Sequence, residues 1–198
     1  MLNDSAAKVR SLLRKSQFLA FTSVFTGLFV VLTTVRIPLP FLSNPFFSSQ
    51  ISLFTLGLYV VGSLFGPYVC ALAGLISSPI ASLVVGTGGP SWFLYTALAG
   101  HAISGLVMGH LRIIGRHLSS RMKRDIGLAV GEGIALATAR LAQAVFFFVV
   151  DLFVFGWPFA CIVFAGYFTF ILFIPVGAAI NSAVRRAFGR TYFDIETT

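Results

Sequence analysis

The chain has 198 residues, of which 57% are hydrophobic and 10% are charged. Soluble domains carry about 25% charged residues, so this composition excludes an ordinary soluble domain and points to membrane helices. The net charge of +8 is confined to a few places, which removes the usual reason to infer a nucleic-acid surface.

Those places come in chain order as Lys8, Arg10, Arg14 and Lys15, then Arg112, Arg116, Arg121, Lys123 and Arg124, then Arg185, Arg186 and Arg190. Cytoplasmic loops are enriched in Lys and Arg, so the three clusters mark one side of a membrane and an even number of spans lies between them. Spans of roughly 20 apolar residues are expected at Gln17–Val35, Tyr68–Val85, Trp92–Ile114, Ile126–Val150 and Pro158–Ser182, with a shorter one at Gln50–Phe65. The expected fold class is therefore all-α, a bundle of six transmembrane helices with both termini cytoplasmic. Its parts are a basic cytoplasmic segment at 1–16, the transmembrane domain at 17–184 and a cytoplasmic tail at 185–198. The first apolar run lacks a small-residue cleavage site and is expected to be retained as a helix.

Between the spans, Arg36-Ile37-Pro38-Leu39-Pro40 through Pro45 is a shaped, non-helical loop, because its prolines fix backbone angles and remove donors. Gly66-Pro67 closes the second span, Gly86 to Ser91 forms a turn, and Asp151 to Trp157 connects the last two spans. Pro79 is a kink site in the third. Small residues four apart, Ser23 with Gly27 and Gly100 with Ser104, allow helix backbones to approach in lipid, within the bundle or against another subunit.

Chemistry-bearing motifs are absent. The sequence has no GxxxxGK[ST], no HExxH and no CxxC, so neither a P-loop nor a resident metal is expected, and no cofactor. His101 and His110 are nine residues apart and face opposite sides of one helix. Cys70 and Cys161 read as small core residues. What remains is a set of polar groups at one depth. His101 falls roughly 13 Å below Trp92 and Arg140 roughly 16 Å below Asp151. Gln143 lies one turn outward from Arg140, and Tyr167 is at similar depth on the last span. Tyr95, Trp92, Asp151 and Trp157 lie nearer the outer rim.

Two readings compete. In one, Arg140 pairs with Glu132 or Asp151, and Trp and Tyr form an interfacial belt. In the other, these groups line a pocket open to the outside in which Arg140 meets an anionic ligand. Glu132 and Asn181, near the cytoplasmic ends of their spans, are expected to tie helices together.

In order and spacing the chain resembles the substrate-binding (S) subunits of energy-coupling factor (ECF) vitamin transporters. The features that carry the resemblance are the basic start and small-residue first helix, the loop Arg36-Ile37-Pro38-Leu39-Pro40-Phe41 and the turn Leu64-Phe65-Gly66-Pro67-Tyr68. Further along they are the segment Gly100-His101-Ala102-Ile103-Ser104-Gly105-Leu106 and the stretch from Phe173-Ile174-Pro175. The resemblance implies a non-enzymatic transport subunit of a prokaryotic plasma membrane that binds a vitamin or precursor in its outer half. It implies as partners a membrane coupling subunit and two ATPases. Carried onto this chain, the lid is Pro38 to Gln50, which includes Asn44, and the loop Gly86 to Trp92 lines the pocket. Where the family's first helix carries AxxxA, Ser23-xxx-Gly27 or Ala20-xxx-Val24 stands in as the docking face. The first outer loop and Gln50 look like those of biotin subunits, and Arg140 suits a carboxylate-bearing ligand. The rival classes are a structural six-span protein of a cell-envelope complex, and an intramembrane enzyme using a group such as Ser91.

Overall fold

The computed structural model describes residues 2–38, 50–85, 91–168 and 174–188. Within them, in chain order, are helix α1 (Leu2–Thr34), strands β1 (Arg36–Pro38) and β2 (Gln50–Ser52), and helices α2 (Leu53–Phe65), α3 (Pro67–Val85), α4 (Ser91–Arg121), α5 (Arg124–Phe155), α6 (Trp157–Phe168) and α7 (Ile174–Phe188). The architecture is a helical bundle with one small addition. β1 and β2 pair antiparallel, with Ile37 opposite Ile51 and Pro38 opposite Gln50, and Leu53 N–H donates to Val35 C=O at 3.2 Å. Residues 50–52, expected to open the second span, are therefore in a ribbon. β-branched Ile suits a strand, and Pro38 sits at the ribbon's end, where its missing N–H interrupts no ladder.

The helix ends differ from the apolar runs in an instructive way. α4 continues seven residues past Ile114, through Arg116 and Arg121, and only Met122 and Lys123 separate it from α5. Arg and Lys are good helix formers, so a basic cluster ends the apolar span without ending the helix. At about 1.5 Å per residue, α4 and α5 reach about 46–48 Å, longer than the roughly 30 Å hydrocarbon core. At its other end α5 continues through Asp151 to Phe155, so the expected seven-residue connection shrinks to Gly156. That glycine has φ 85°, and Gly66, between α2 and α3, has φ 96°; both angles belong to the left-handed region that favours glycine. Pro67 then occupies the first position of α3, where no intrahelical N–H is needed. The stretch expected as one last span is built from α6 and α7, and residues 169–173 lie outside the described residues. Pro175, second in α7, is tolerated for the same reason as Pro67.

Lys15–Thr34 of α1 and α5 are each long and apolar enough to cross a membrane, while Leu53–Phe65 and Pro67–Ala81 are apolar but shorter. The bundle packs through aromatic rings and close backbones. Phe21, Phe25 and Phe29 recur every four residues on one face of α1. Phe25 lies 4.5 Å from the Phe65 ring, Phe29 lies 5.3 Å from Phe54, and Phe54 meets His101 of α4 edge-on at 4.5 Å. On α4, a Cβ added at Gly109 would collide with the backbone of Pro67, and one at Gly105 would come within 3.0 Å of Ala71 N. Glycines at these positions let α4 lie directly on the start of α3. Phe29, Leu58, Met108 and Leu136 fill the centre and are essentially inaccessible.

Candidate ligand site

The buried residues of α5 form a stripe that begins Gly127, Gly131, Glu132, Ala135, Leu136, Ala139, Arg140, Gln143, Ala144, Phe147 and ends at Asp151. Steps of three and four residues keep one helix face turned inward. The polar members of that stripe are thereby carried into the bundle, with Glu132 and Arg140 about 12 Å apart along the axis.

Around Arg140 the structure gathers groups from three further helices. Arg140 Nη1 donates to Gln143 Oε1 at 2.6 Å. The Tyr59 hydroxyl of α2 lies beside Arg140 and beside Ser104 of α4. Tyr59 Oη and Ser104 Oγ are both buried and make no hydrogen bond of normal geometry among the described residues. Arg140 is also the charged neighbour of His101. His101 Nδ1 lies 2.6 Å from Ser78 Oγ of α3, and Ser78 Oγ lies 3.1 Å from Gly74 C=O. A hydroxyl has one proton. Which of Gly74 C=O and His101 Nδ1 receives it depends on the His101 tautomer.

Lower on α5 a second cluster is built differently. Glu132 Oε1 accepts from Ser63 Oγ of α2 at 3.0 Å and from Arg185 of α7. Glu132 Oε2 accepts from Asn181 Nδ2 at 3.3 Å, and Asn181 also reaches Tyr59 C=O at 3.4 Å. The expected tying role of Glu132 and Asn181 is visible in these bonds. The alternative pairing of Arg140 with Glu132 is not made; Arg185 takes that carboxylate.

Of the candidate site residues, the structure pairs Arg140 with Gln143, and His101 feels the Arg140 charge. Asp151 is buried on the same stripe of α5, three turns toward its C-terminal end. Trp157 is 63% exposed at the start of α6 and meets Phe148 edge-on at 5.7 Å, so it stands outside the cluster. Trp92 and Tyr95 are on α4, Tyr167 is on α6 and Gln50 is on β2, while Asn44 lies outside the described residues. Ala20, Ser23 and Gly27 are all exposed on α1.

The family model of the ECF-type riboflavin transporter S component matches residues 15–184. The chain belongs to that family. No individual curated protein matches it. ECF S components are integral proteins of the prokaryotic plasma membrane and serve as substrate-binding subunits of vitamin transporters, not as enzymes. Within this S component, the residues that sequence reasoning missed are Tyr59, Ser104 as a polar group, and Ser78. The available signal was Tyr59 itself, a hydroxyl in the middle of a 13-residue apolar helix.

Proposed function

We propose that this S component captures riboflavin or a closely related flavin from outside and passes it to a membrane coupling subunit energised by two ATPases. The observation that carries the substrate is the riboflavin S-component match over residues 15–184. The polar cluster is compatible with it. Arg140 is bonded to the neutral Gln143 amide and lies beside the neutral Tyr59 hydroxyl. That donor set serves the carbonyls of an uncharged ring as well as it would serve a carboxylate. The family match therefore moves the reading from a biotin-like acid to a flavin.

In this reading Arg140, Gln143 and His101 contact the ligand. Trp92, Tyr95 and Tyr167 cover its apolar part, Asn44 and Gln50 belong to the lid, and Asp151 and Trp157 stand at the rim. The test is a titration of the purified chain with riboflavin, followed by quenching of flavin fluorescence. Saturable quenching that excess biotin does not reverse is expected. Absence of quenching, with biotin bound instead, overturns the assignment.

The same reading takes α1 to α5 and the α6–α7 pair as six spans, with both termini and the α4–α5 turn cytoplasmic. The support is the placement of the basic clusters. Cysteines introduced at Asn44 or Gly88 should label from outside and one at Ser119 should not; strong outside labelling at Ser119 would reject the arrangement.

A further inference from the structure

The face of α5 turned away from the bundle carries Ile126, Val130, Ile134, Leu141, Val145 and Val149, all exposed, at steps that keep to one side of a helix. From Ile126 to Val149 this stripe rises about 34 Å, close to the roughly 30 Å hydrocarbon core of a bilayer. In an integral membrane protein it is the face that meets lipid tails. One end of the stripe runs into Phe153 and Trp157, both exposed and suited to an interface. The other end stops at the α4–α5 turn, where Arg121, Lys123 and Arg124 are all exposed. That turn therefore lies at the depth of the lipid phosphates. Its acidic residue, Asp125, is met by Arg186 of α7 at 3.4 Å, whereas Arg121, Lys123 and Arg124 make no ion pair among the described residues. Met122 and Ile126, 47% and 50% exposed, stand among these cations. Lys123 and Arg124 open α5, where the helix dipole disfavours cations, so forming the helix is not their purpose.

We infer that the α4–α5 turn binds an anionic phospholipid, with Arg121, Lys123 and Arg124 around its headgroup and Met122 and Ile126 against the start of its acyl chains. The inference rests on α5 crossing the bilayer and stands apart from the flavin assignment. Marking one side of a membrane requires only that cations lie somewhere beyond a span. Here three are fixed at the ends of two helices joined by two residues, at one depth and beside apolar side chains. Arginine forks match phosphate oxygens in pairs, and lysine adds a point charge. A zwitterionic headgroup brings its own cation to the same place, so the turn selects a headgroup of net negative charge. An acidic protein surface would match the charge but not the exposed Met122 and Ile126 at the edge of a lipid-facing stripe. The Arg186–Asp125 pair also offsets the one nearby charge that would repel a phosphate.

The experiment is native mass spectrometry of the full chain in a neutral detergent, titrated with phosphatidylglycerol or with phosphatidylcholine. The parent is compared with a turn variant, Arg121→Gln with Lys123→Gln and Arg124→Gln, and with a control of equal charge loss, Lys8→Gln with Arg10→Gln and Arg14→Gln. One basic residue near an anionic surface favours attachment by roughly fivefold. The first phosphatidylglycerol should therefore bind the parent at least about tenfold more tightly than the first phosphatidylcholine. The turn variant should lose most of that preference, and the control should keep it. Melting without added lipid should match the parent in both, because the turn side chains are exposed. Equal loss in the two variants is a response to total charge and overturns the site. A turn variant that keeps the preference also overturns it, and if that variant recovers less coupling subunit the turn serves an acidic protein partner instead. Should the turn variant not fold, Lys123→Gln alone, with an expected loss of roughly fivefold, decides by the same criteria.

Discussion

The two polar clusters on α5 lie about 12 Å apart on the same inward face, yet they solve the problem of buried polarity in opposite ways. At Glu132 the carboxylate is closed off by Ser63, Asn181 and Arg185, so charge meets charge and each bond ties α5 to α2 or α7. At Arg140 the guanidinium donates to a neutral amide, that of Gln143, and the Tyr59 hydroxyl lies beside it. A closed cluster contributes to the fold. In the proposed function the Arg140 cluster is the open one, which meets the ligand. Stability and affinity should therefore separate along one helix.

The largest effect is expected at the closed cluster. Glu132→Ala leaves the Arg185 guanidinium, 7% exposed in its side chain, without its carboxylate. Breaking a buried pair from one side costs about 3–5 kcal/mol. Denaturation in detergent should show that loss, and the double variant Glu132→Ala with Arg185→Ala should recover part of it because neither charge is then stranded. Riboflavin affinity of the folded fraction should stay near the parent's. A Glu132→Ala protein that melts normally but binds poorly would reverse the comparison.

At the open cluster the sign of the split changes. Arg140→Ala should weaken riboflavin binding by about 1.5–3 kcal/mol, the range for hydrogen bonds to a charged group, or roughly 10- to 100-fold. Arg140→Lys should lose less, keeping a charged donor without the guanidinium fork. Neither variant should melt as low as Glu132→Ala. Calorimetric or fluorescence titration of both decides, and an Arg140→Ala protein that binds as tightly as the parent makes Arg140 structural.

How much of this the residues disclose in advance depends on whether a feature is local. Helices α1 to α5 are legible because their apolar runs are bounded by a proline-rich loop, Gly-Pro turns or a basic cluster, and the Arg140–Gln143 pair follows from a three-residue step on one helix face. The β1–β2 ribbon was hidden because proline-rich sequence announces only the absence of helix. The long ends of α4 and α5 were hidden because charge interrupts hydropathy but not helix propensity. Glu132 and Arg185 are 53 residues apart, and no periodicity links them. Ser104 read as a small packing residue, since most helical hydroxyls bond back to their own helix. Only the placement of α4 against α2 and α5 sets it beside Tyr59.

The smallest effect on the folded chain is expected outside both clusters, at Gly27. A Cβ there meets nothing within 4 Å, and Ala20, Ser23 and Gly27 share the exposed side of α1. Gly27→Leu should leave melting and riboflavin affinity within about 0.5 kcal/mol of the parent, as for most surface substitutions. Leucine is also the better helix former, which offsets any loss of hydration. If this face docks the coupling subunit, the added side chain should block close backbone approach, since small residues are what permit it in lipid. Co-purification of the coupling subunit and ATPases with the variant should then fall while the isolated chain is unaffected. Full recovery of the complex would move docking to another helix. A drop in melting or affinity would show that α1 is energetically joined to the clusters on α5, and the separation between fold and site would no longer hold.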